Sequence, residues 1–129
     1  MAGTFAQVRT AFGTALSTAF PNARVTSYVP GNIVTPAMFV LPSQTFYEQT
    51  AFDANDIHIE LVVLASAGDD YSGQAVLDEY VNTIPAAVED STLGGVVDYM
   101  HMDPARDYGL IDFGGVQYFG CRFDVDFGA

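Results

Sequence analysis

The chain has 129 residues and a formal net charge of -12, with sixteen acidic side chains against four arginines and no lysine. That length predicts one domain, since a domain usually holds about 100–200 residues. With half of its residues hydrophobic and only 16% charged, the composition excludes a disordered chain, and its acidity excludes both an electrostatic nucleic-acid binder and a protein that docks on anionic membranes.

The first predicted element is an amphipathic helix over residues 4–20, ended by Pro21. At 100° per residue its apolar stripe consists of Phe5, Val8, Phe12, Leu16 and Ala19. Its opposite face consists of Ala6, Thr10, Ala11, Thr14 and Ser17. Surface helices usually carry Glu and Lys there, so this uncharged face indicates either a second packing surface or a solvent face of small residues.

Extended segments follow this helix. Residues 23–42 contain three prolines, which cannot donate to a central ladder, so edge strands or strand ends are predicted, with the best strand over 37–41. Residues 45–52 predict a further extended run. Residues 57–65 predict another strand, which becomes apolar on both faces toward its end and is therefore expected to be buried on both sides there.

A helical region and three strands complete the chain. Residues 72–82 predict a helix, and Pro85 predicts the start of a second short helix with Thr83 as its N-cap. The strands are predicted over 96–102, 107–113 and 116–127, with Gly114 and Gly115 joining the last two in a hairpin. In the last strand apolar residues alternate with Arg122, Asp124 and Asp126, which predicts one core face and one wet or interface face.

This order of elements predicts an α+β fold. We expect a single domain over 1–129, in which an N-terminal helix and a central helix pair pack on a mostly antiparallel or mixed β-sheet. The charge is divided unevenly, because residues 1–47 contain two arginines and no acid, whereas residues 48–129 contain all sixteen acids. Such a division is typical of distinct working surfaces, or of plain compositional drift.

Two acidic groups are candidate sites. Asp69 and Asp70 could bind a divalent cation, but capping of the following helix is the favoured interpretation, and the loop lacks the ligand spacing of a calcium site. Asp124 and Asp126, with Arg122, share a strand face that could coordinate a metal. A solvated or interface-lining acidic face is the favoured interpretation here too.

Catalytic signals are weak. His58 is near Glu60 and His101 is near Asp103, and such pairs could serve in acid–base chemistry, yet two isolated histidines without a motif are usually structural. Cys121, the single cysteine, excludes an intrachain disulfide, fits a reducing compartment and is predicted to be an inert core thiol. No segment is long enough for a membrane span. The sequence therefore predicts a soluble protein with no catalytic, cofactor-binding or metal residues.

Several segments, taken in order, resemble one known family. They are LVVLASAGDD at 61–70 followed by QAVLDEY at 74–80, DSTLGGVVD at 90–98, and DYG at 107–109 leading to GGVQYFG at 114–120. The opening helix and the following Tyr28-Val29-Pro30 are similar as well. Together they resemble the tail terminator proteins of long-tailed, siphovirus-like phages over nearly the whole chain, by the order and spacing of the segments.

The resemblance implies a structural virion protein that is not an enzyme and has no cofactor. Such proteins form a homohexameric ring on the head-proximal end of the tail tube, end its polymerisation and join the head. The implied partners are other copies of the chain, the tail tube protein and a head-completion or neck protein. No membrane is involved, and assembly is expected in the host cytoplasm.

DNA would pass through such a ring without specific binding. An acidic pore would repel the DNA phosphates, which suits a conduit. We expect the lumen or an interface to include some of the acidic candidates and their strand neighbour, namely Asp69, Asp70, Arg122, Asp124 and Asp126.

Three other functions remain open from the sequence. A neighbouring neck or tail-completion protein would share the size and the fold type, and ring position and partner would separate it from a terminator. An acidic DNA mimic would act as a monomer or dimer that inhibits a nucleic-acid-binding enzyme. A small ligand-binding domain or enzyme is supported only by His58 and His101.

Overall fold

The computed structural model describes residues 5–26, 33, 35–51, 54–67, 71–88, 93, 97, 99–113 and 115–128. The elements are α1 (Phe5–Ala19), β1 (Arg24–Thr26), β2 (Ala37–Ala51), β3 (Ala54–Ala67), α2 (Tyr71–Val88), β4 (Tyr99–Met102), β5 (Arg106–Phe113) and β6 (Val116–Gly128). They form the predicted α+β fold. In the described part of the chain, neither helix is long and apolar enough to cross a membrane.

The sheet has the strand order β1-β2-β3-β6-β4, and β5 also pairs with β6. Only the pairing of β1 with β2 is parallel, so the sheet is mixed and mostly antiparallel, as predicted. β3 pairs with one side of β6 along residues 118–128. β4 and β5 share its other side, β4 against residues 125–128 and β5 against residues 116–122.

The main core lies between the sheet and the two helices. The apolar stripe of α1 is confirmed at Val8, Phe12 and Leu16, which have no exposed surface, whereas Ala19 at the helix end is exposed. Phe12 packs edge-on against Phe127, with ring centroids 5.4 Å apart. The strands contribute alternate buried residues to this core: Ile57, Ile59, Leu61, Val63, Phe119, Cys121, Phe123, Val125 and Phe127.

The predicted central helix pair is wrong, because α2 is one helix with Pro85 inside it. Pro85 has no N–H to donate one turn back, which ordinarily breaks a helix. Here Ile84 and Val88, on either side of Pro85, are buried in the core, and their packing keeps the helix continuous. Thr83 is accordingly not a cap, since its Oγ1 donates to the Glu79 carbonyl oxygen within the helix, at 2.9 Å.

The two extended runs predicted over 37–41 and 45–52 belong to a single strand, β2. The register shifts between Pro42, opposite Ile59, and Tyr47, opposite Ile57. The intervening residues therefore bulge out of the ladder, as proline in a strand favours. β1 pairs only with residues 37–39, so among the described strands Pro42 lies in an edge portion of β2, as predicted.

The closing hairpin is confirmed between β5 and β6, with Gly115 at a φ of 80° in its turn. A glycine is also required at Gly120, because a Cβ atom there would collide with the Val63 carbonyl oxygen of β3. On the other side of β6, the register of β5 shifts between Arg106 and Gly109, where Asp107 has a φ of 57°. This bulge places Arg106 directly opposite Arg122.

Candidate functional site: a charged patch on the outer face

The face of the sheet opposite the helices, here called the outer face, carries a cluster of charged side chains. Successive side chains of a strand point to opposite faces, so the buried residues of β3 and β6 alternate with polar ones. The register aligns His58 with Asp126 and Glu60 with Asp124. We define the charged patch as His58, Glu60, Arg106, Asp107, Arg122, Asp124 and Asp126.

Arg106 lies at the centre of the patch. Its Nε and Nη2 donate to the two carboxylate oxygens of Asp124, at 2.8 and 3.1 Å, and Nη2 also donates to Glu60 Oε2 at 2.8 Å. The hydrogen bond to Asp124 raises the pKa of this guanidinium above its ordinary value, against the opposing effect of burial. The negative charges of Asp124, Glu60 and Asp107 raise the pKa further.

Glu60 is the least exposed acid of these ion pairs, with 16% of its side chain accessible. A second arginine approaches it from β6, since Arg122 Nη1 lies 3.3 Å from Glu60 Oε1. Glu60 is therefore held between two guanidinium groups, that of Arg122 on the neighbouring strand β6 and that of Arg106 on β5, which lies beyond β6. These ion pairs therefore link β3, β5 and β6.

Both histidines of the chain are cross-strand neighbours of Asp126, His58 from β3 and His101 from β4. His58 Nδ1 lies 2.5 Å from Asp126 Oδ1, whereas His101 Nε2 lies 3.1 Å from Asp103 Oδ1. The sequence associated His101 with Asp103 correctly. For His58 the nearby acid in the sequence is Glu60, in its own strand, and the register also places Asp126 of β6 against its ring.

The patch is an ion-pair network. Among the described residues, no three His, Cys, Asp or Glu side chains converge on a point where a metal ion could sit. The reason is local: Asp124 and Glu60 bind Arg106, and Asp126 faces His58. The alternative that Asp124 and Asp126 coordinate a metal thus finds no third ligand in this part of the chain.

The structure brings three of the five predicted site residues together. Arg122, Asp124 and Asp126 lie side by side on the outer face, each partly exposed. Asp69 and Asp70 lie outside the described residues. The sequence interpretation missed Arg106, whose place depends on the bulge after it. The Asp-Tyr-Gly run at 107–109 was the available signal, since Asp and Gly tolerate the positive φ values of a bulge.

An apolar cluster adjoins the charged patch on the outer face. Phe39, Val62, Leu64, Ile111 and Tyr118 form a second buried cluster there. Val62 and Leu64 have no exposed surface, which confirms that the far end of β3 is buried on both faces. The charged patch therefore begins where this cluster ends, at Arg122 opposite Val62.

Cys121 faces the main core next to the patch. It has no exposed surface, and burial raises the pKa of its thiol to about 12. A thiol in this environment stays protonated at neutral pH and is a poor nucleophile. The predicted inert core cysteine is confirmed.

No protein-family model matches this chain, and no curated protein matches it. The geometry on its own shows an ion-paired, partly exposed charged patch on the outer face of the sheet.

Proposed function

We propose that this chain is the subunit of a ring that caps the head-proximal end of a phage tail tube, ends its polymerisation and joins it to the head. The observation that carries the proposal is the ordered resemblance to tail terminator proteins over nearly the whole chain. Four of the resembling segments fall, in chain order, in β3, α2, β5 and β6, and most of the segment at 90–98 lies outside the described residues. An α+β domain of this kind is the fold that the resemblance implies.

The charge supports the same role. Each copy carries a formal charge of -12, so a ring of copies repels DNA phosphates and offers DNA no grip as it passes. Within the charged patch, Arg106 and Arg122 offset part of the acid. The patch therefore suits a contact with a neighbouring virion protein better than it suits the lumen.

The test uses tail tubes assembled from the tube protein of the same phage. We expect the purified chain to form a six-membered ring at one end of each tube in negative-stain images, and the tube to stop elongating there when more tube protein is added. Tubes treated with an unrelated acidic protein of the same size are the control and should keep growing.

Two results would contradict the proposal. Tubes that elongate as fast with the chain as without it would exclude a terminator. A chain that binds the capsid portal and leaves tubes uncapped would indicate a neck protein.

A further inference from the structure

Several large exposed apolar side chains lie on the side of the sheet formed by β4, β5 and the start of β6. In the part of the chain that the structure describes, the large hydrophobic residues with roughly half their surface exposed are Tyr99, Tyr108, Leu110 and Val116. They belong to β4, β5 and the start of β6. An apolar patch at an edge is typical of an interaction site, because water contact with it is unfavourable.

Tyr108 and Leu110 form a fixed apolar ridge on β5. Both side chains are 49% exposed. Leu110 lies opposite Phe119, and the ring of Tyr108 packs edge-on against Phe119 at a centroid distance of 5.2 Å. Tyr108 Oη also donates to Asp78 Oδ1 on α2, at 2.5 Å. The ridge is therefore held in place before any partner binds, and Asp112 continues the same face of β5 with its carboxylate exposed.

A groove lies toward the opposite edge of the sheet. It has a volume of about 610 Å³ and is formed by the end of α1, the following turn and α2. Phe20 and Tyr80, in edge-on contact at 5.6 Å, form part of its wall. Burial, and then the charge of Glu79, raise the pKa of Tyr80. Because Glu79 is the one carboxylate among the described lining residues, the groove favours an apolar insert over an anion.

One pair of exposed side chains at the two edges has opposite charges, Arg24 near the groove and Asp112 on the ridge, while Glu79 in the groove wall is negative. Beside the groove, the Arg24 amide donates to the carbonyl oxygen of Pro36, a lining residue, and the Arg24 side chain is exposed. No acid occurs in residues 1–47. The ridge has Asp107 and Asp112 exposed on either side of it, and Asp107 is ion-paired with Arg106, so Asp112 is the acid that Arg24 could face.

We propose that the β5 ridge of one copy docks in the α1–α2 groove of a second copy, with Leu110 entering the groove and Asp112 facing Arg24. The two surfaces are different, so each copy has one of each. Such head-to-tail contacts close into rings when the rotation between neighbours permits. The closed ring rests on the proposed function, whereas the contact itself is a property of the isolated protein.

Disulfide trapping tests the contact directly. Leu110→Cys and Asn22→Cys are prepared separately, so that one thiol is on the ridge and the other lines the groove. Cys121 is buried and leaves no competing thiol. Under mild oxidation we expect the mixture to give a linked dimer of the two variants in large excess over the linked dimers of either variant alone.

Val116→Cys is the matched control, since Val116 is 46% exposed on the same hairpin but points to the other face. It should give only the background product with Asn22→Cys. Equal trapping of Val116→Cys, or predominant Leu110→Cys homodimers, would overturn the proposal.

A charge exchange gives a second, independent test. Arg24→Asp places two acids opposite each other in the proposed contact. It should therefore weaken self-association about tenfold in sedimentation experiments, which corresponds to about 1.4 kcal/mol. Adding Asp112→Arg to the same chain should restore self-association, because each contact then regains a pair of opposite charges. Both side chains are exposed, so the circular dichroism spectra of the variants should match that of the natural protein. An unrestored double variant would contradict the contact.

The outcomes separate the contact from the proposed function. A mixed disulfide in a chain that never caps tubes would keep the contact and refute the terminator role. Capped tubes that give no mixed disulfide, either free or on the tube, would keep the role and refute the contact.

Discussion

The two faces of the β3–β6 pair are built from the same strands but differ completely in what they contact. On the helix side, Leu61 and Phe123 are neighbours with no exposed surface. One residue further along each strand, on the outer face, Val62 lies opposite Arg122, at the boundary between the second apolar cluster and the charged patch. One alternating pattern of side chains therefore forms both the core and the charged patch.

The faces should also differ in how much they stabilise the fold. Burial of a large apolar side chain is worth about 1.5–3 kcal/mol, whereas a partly exposed ion pair contributes about 0–1 kcal/mol. We therefore assign most of the stability to the helix side and to the second apolar cluster, and little of it to the charged patch.

The largest expected effect comes from the helix side. Phe123→Ala should lower the free energy of unfolding by about 3–5 kcal/mol, because it removes a fully buried ring and leaves a cavity. Urea unfolding followed by circular dichroism measures this change. Asp124→Ala, one residue away on the outer face, is the matched control and should cost about 1 kcal/mol or less. Equal losses at the two positions would refute the division between the faces.

A pH titration of stability tests whether folding removes the Cys121 thiol, on the helix side of β6, from water. Its thiol has a pKa of about 12 in the folded protein and an ordinary value of 9.0, so above pH 9 the unfolded chain loses this proton while the folded chain keeps it. The free energy of unfolding should then fall with rising pH, by at most about 1.4 kcal/mol per pH unit from this group.

Cys121→Ala is the control for that titration, because it removes the thiol and keeps every other ionisable group. The variant should be less stable at pH 7 and should lose the additional slope above pH 9. Identical slopes in both proteins would mean that the thiol is not desolvated by folding.

Local patterns predicted the elements that depend on nearby residues. The alternation along β6 and the Gly114-Gly115 turn gave the last hairpin, because strand period and turn geometry are set within a few residues. Pro85 was misinterpreted for the opposite reason. Burial of Ile84 and Val88 against the sheet outweighs the lost hydrogen bond, and that burial involves residues far away in the chain.

The candidate site was predicted only in part, because its contacts depend on register. The sequence shows that Asp124 and Asp126 share a face. It does not show that Asp126 meets His58, 68 residues away, or that Arg106 reaches Glu60 across β6. Both contacts follow from strand alignment, and a shift of one residue would turn these side chains to the other face.

The smallest expected effect concerns the centre of the charged patch. Arg106→Met keeps much of the side-chain volume and removes the donors to Asp124 and Glu60, so the free energy of unfolding should fall by about 0.5–1 kcal/mol, limited by the partial exposure of Arg106. Because screening weakens ion pairs between exposed groups, the difference from the natural protein should shrink as salt is added.

A double-mutant cycle separates the ion pair from general charge effects. Arg106→Met and Glu60→Gln should be non-additive, since their side chains are 2.8 Å apart. Arg106→Met with Asp103→Asn should be nearly additive, because the side-chain contact of Asp103 is with His101. If the two cycles gave equal coupling energies, Arg106 would act through the overall charge of the face, and the network around it would carry no specific stability.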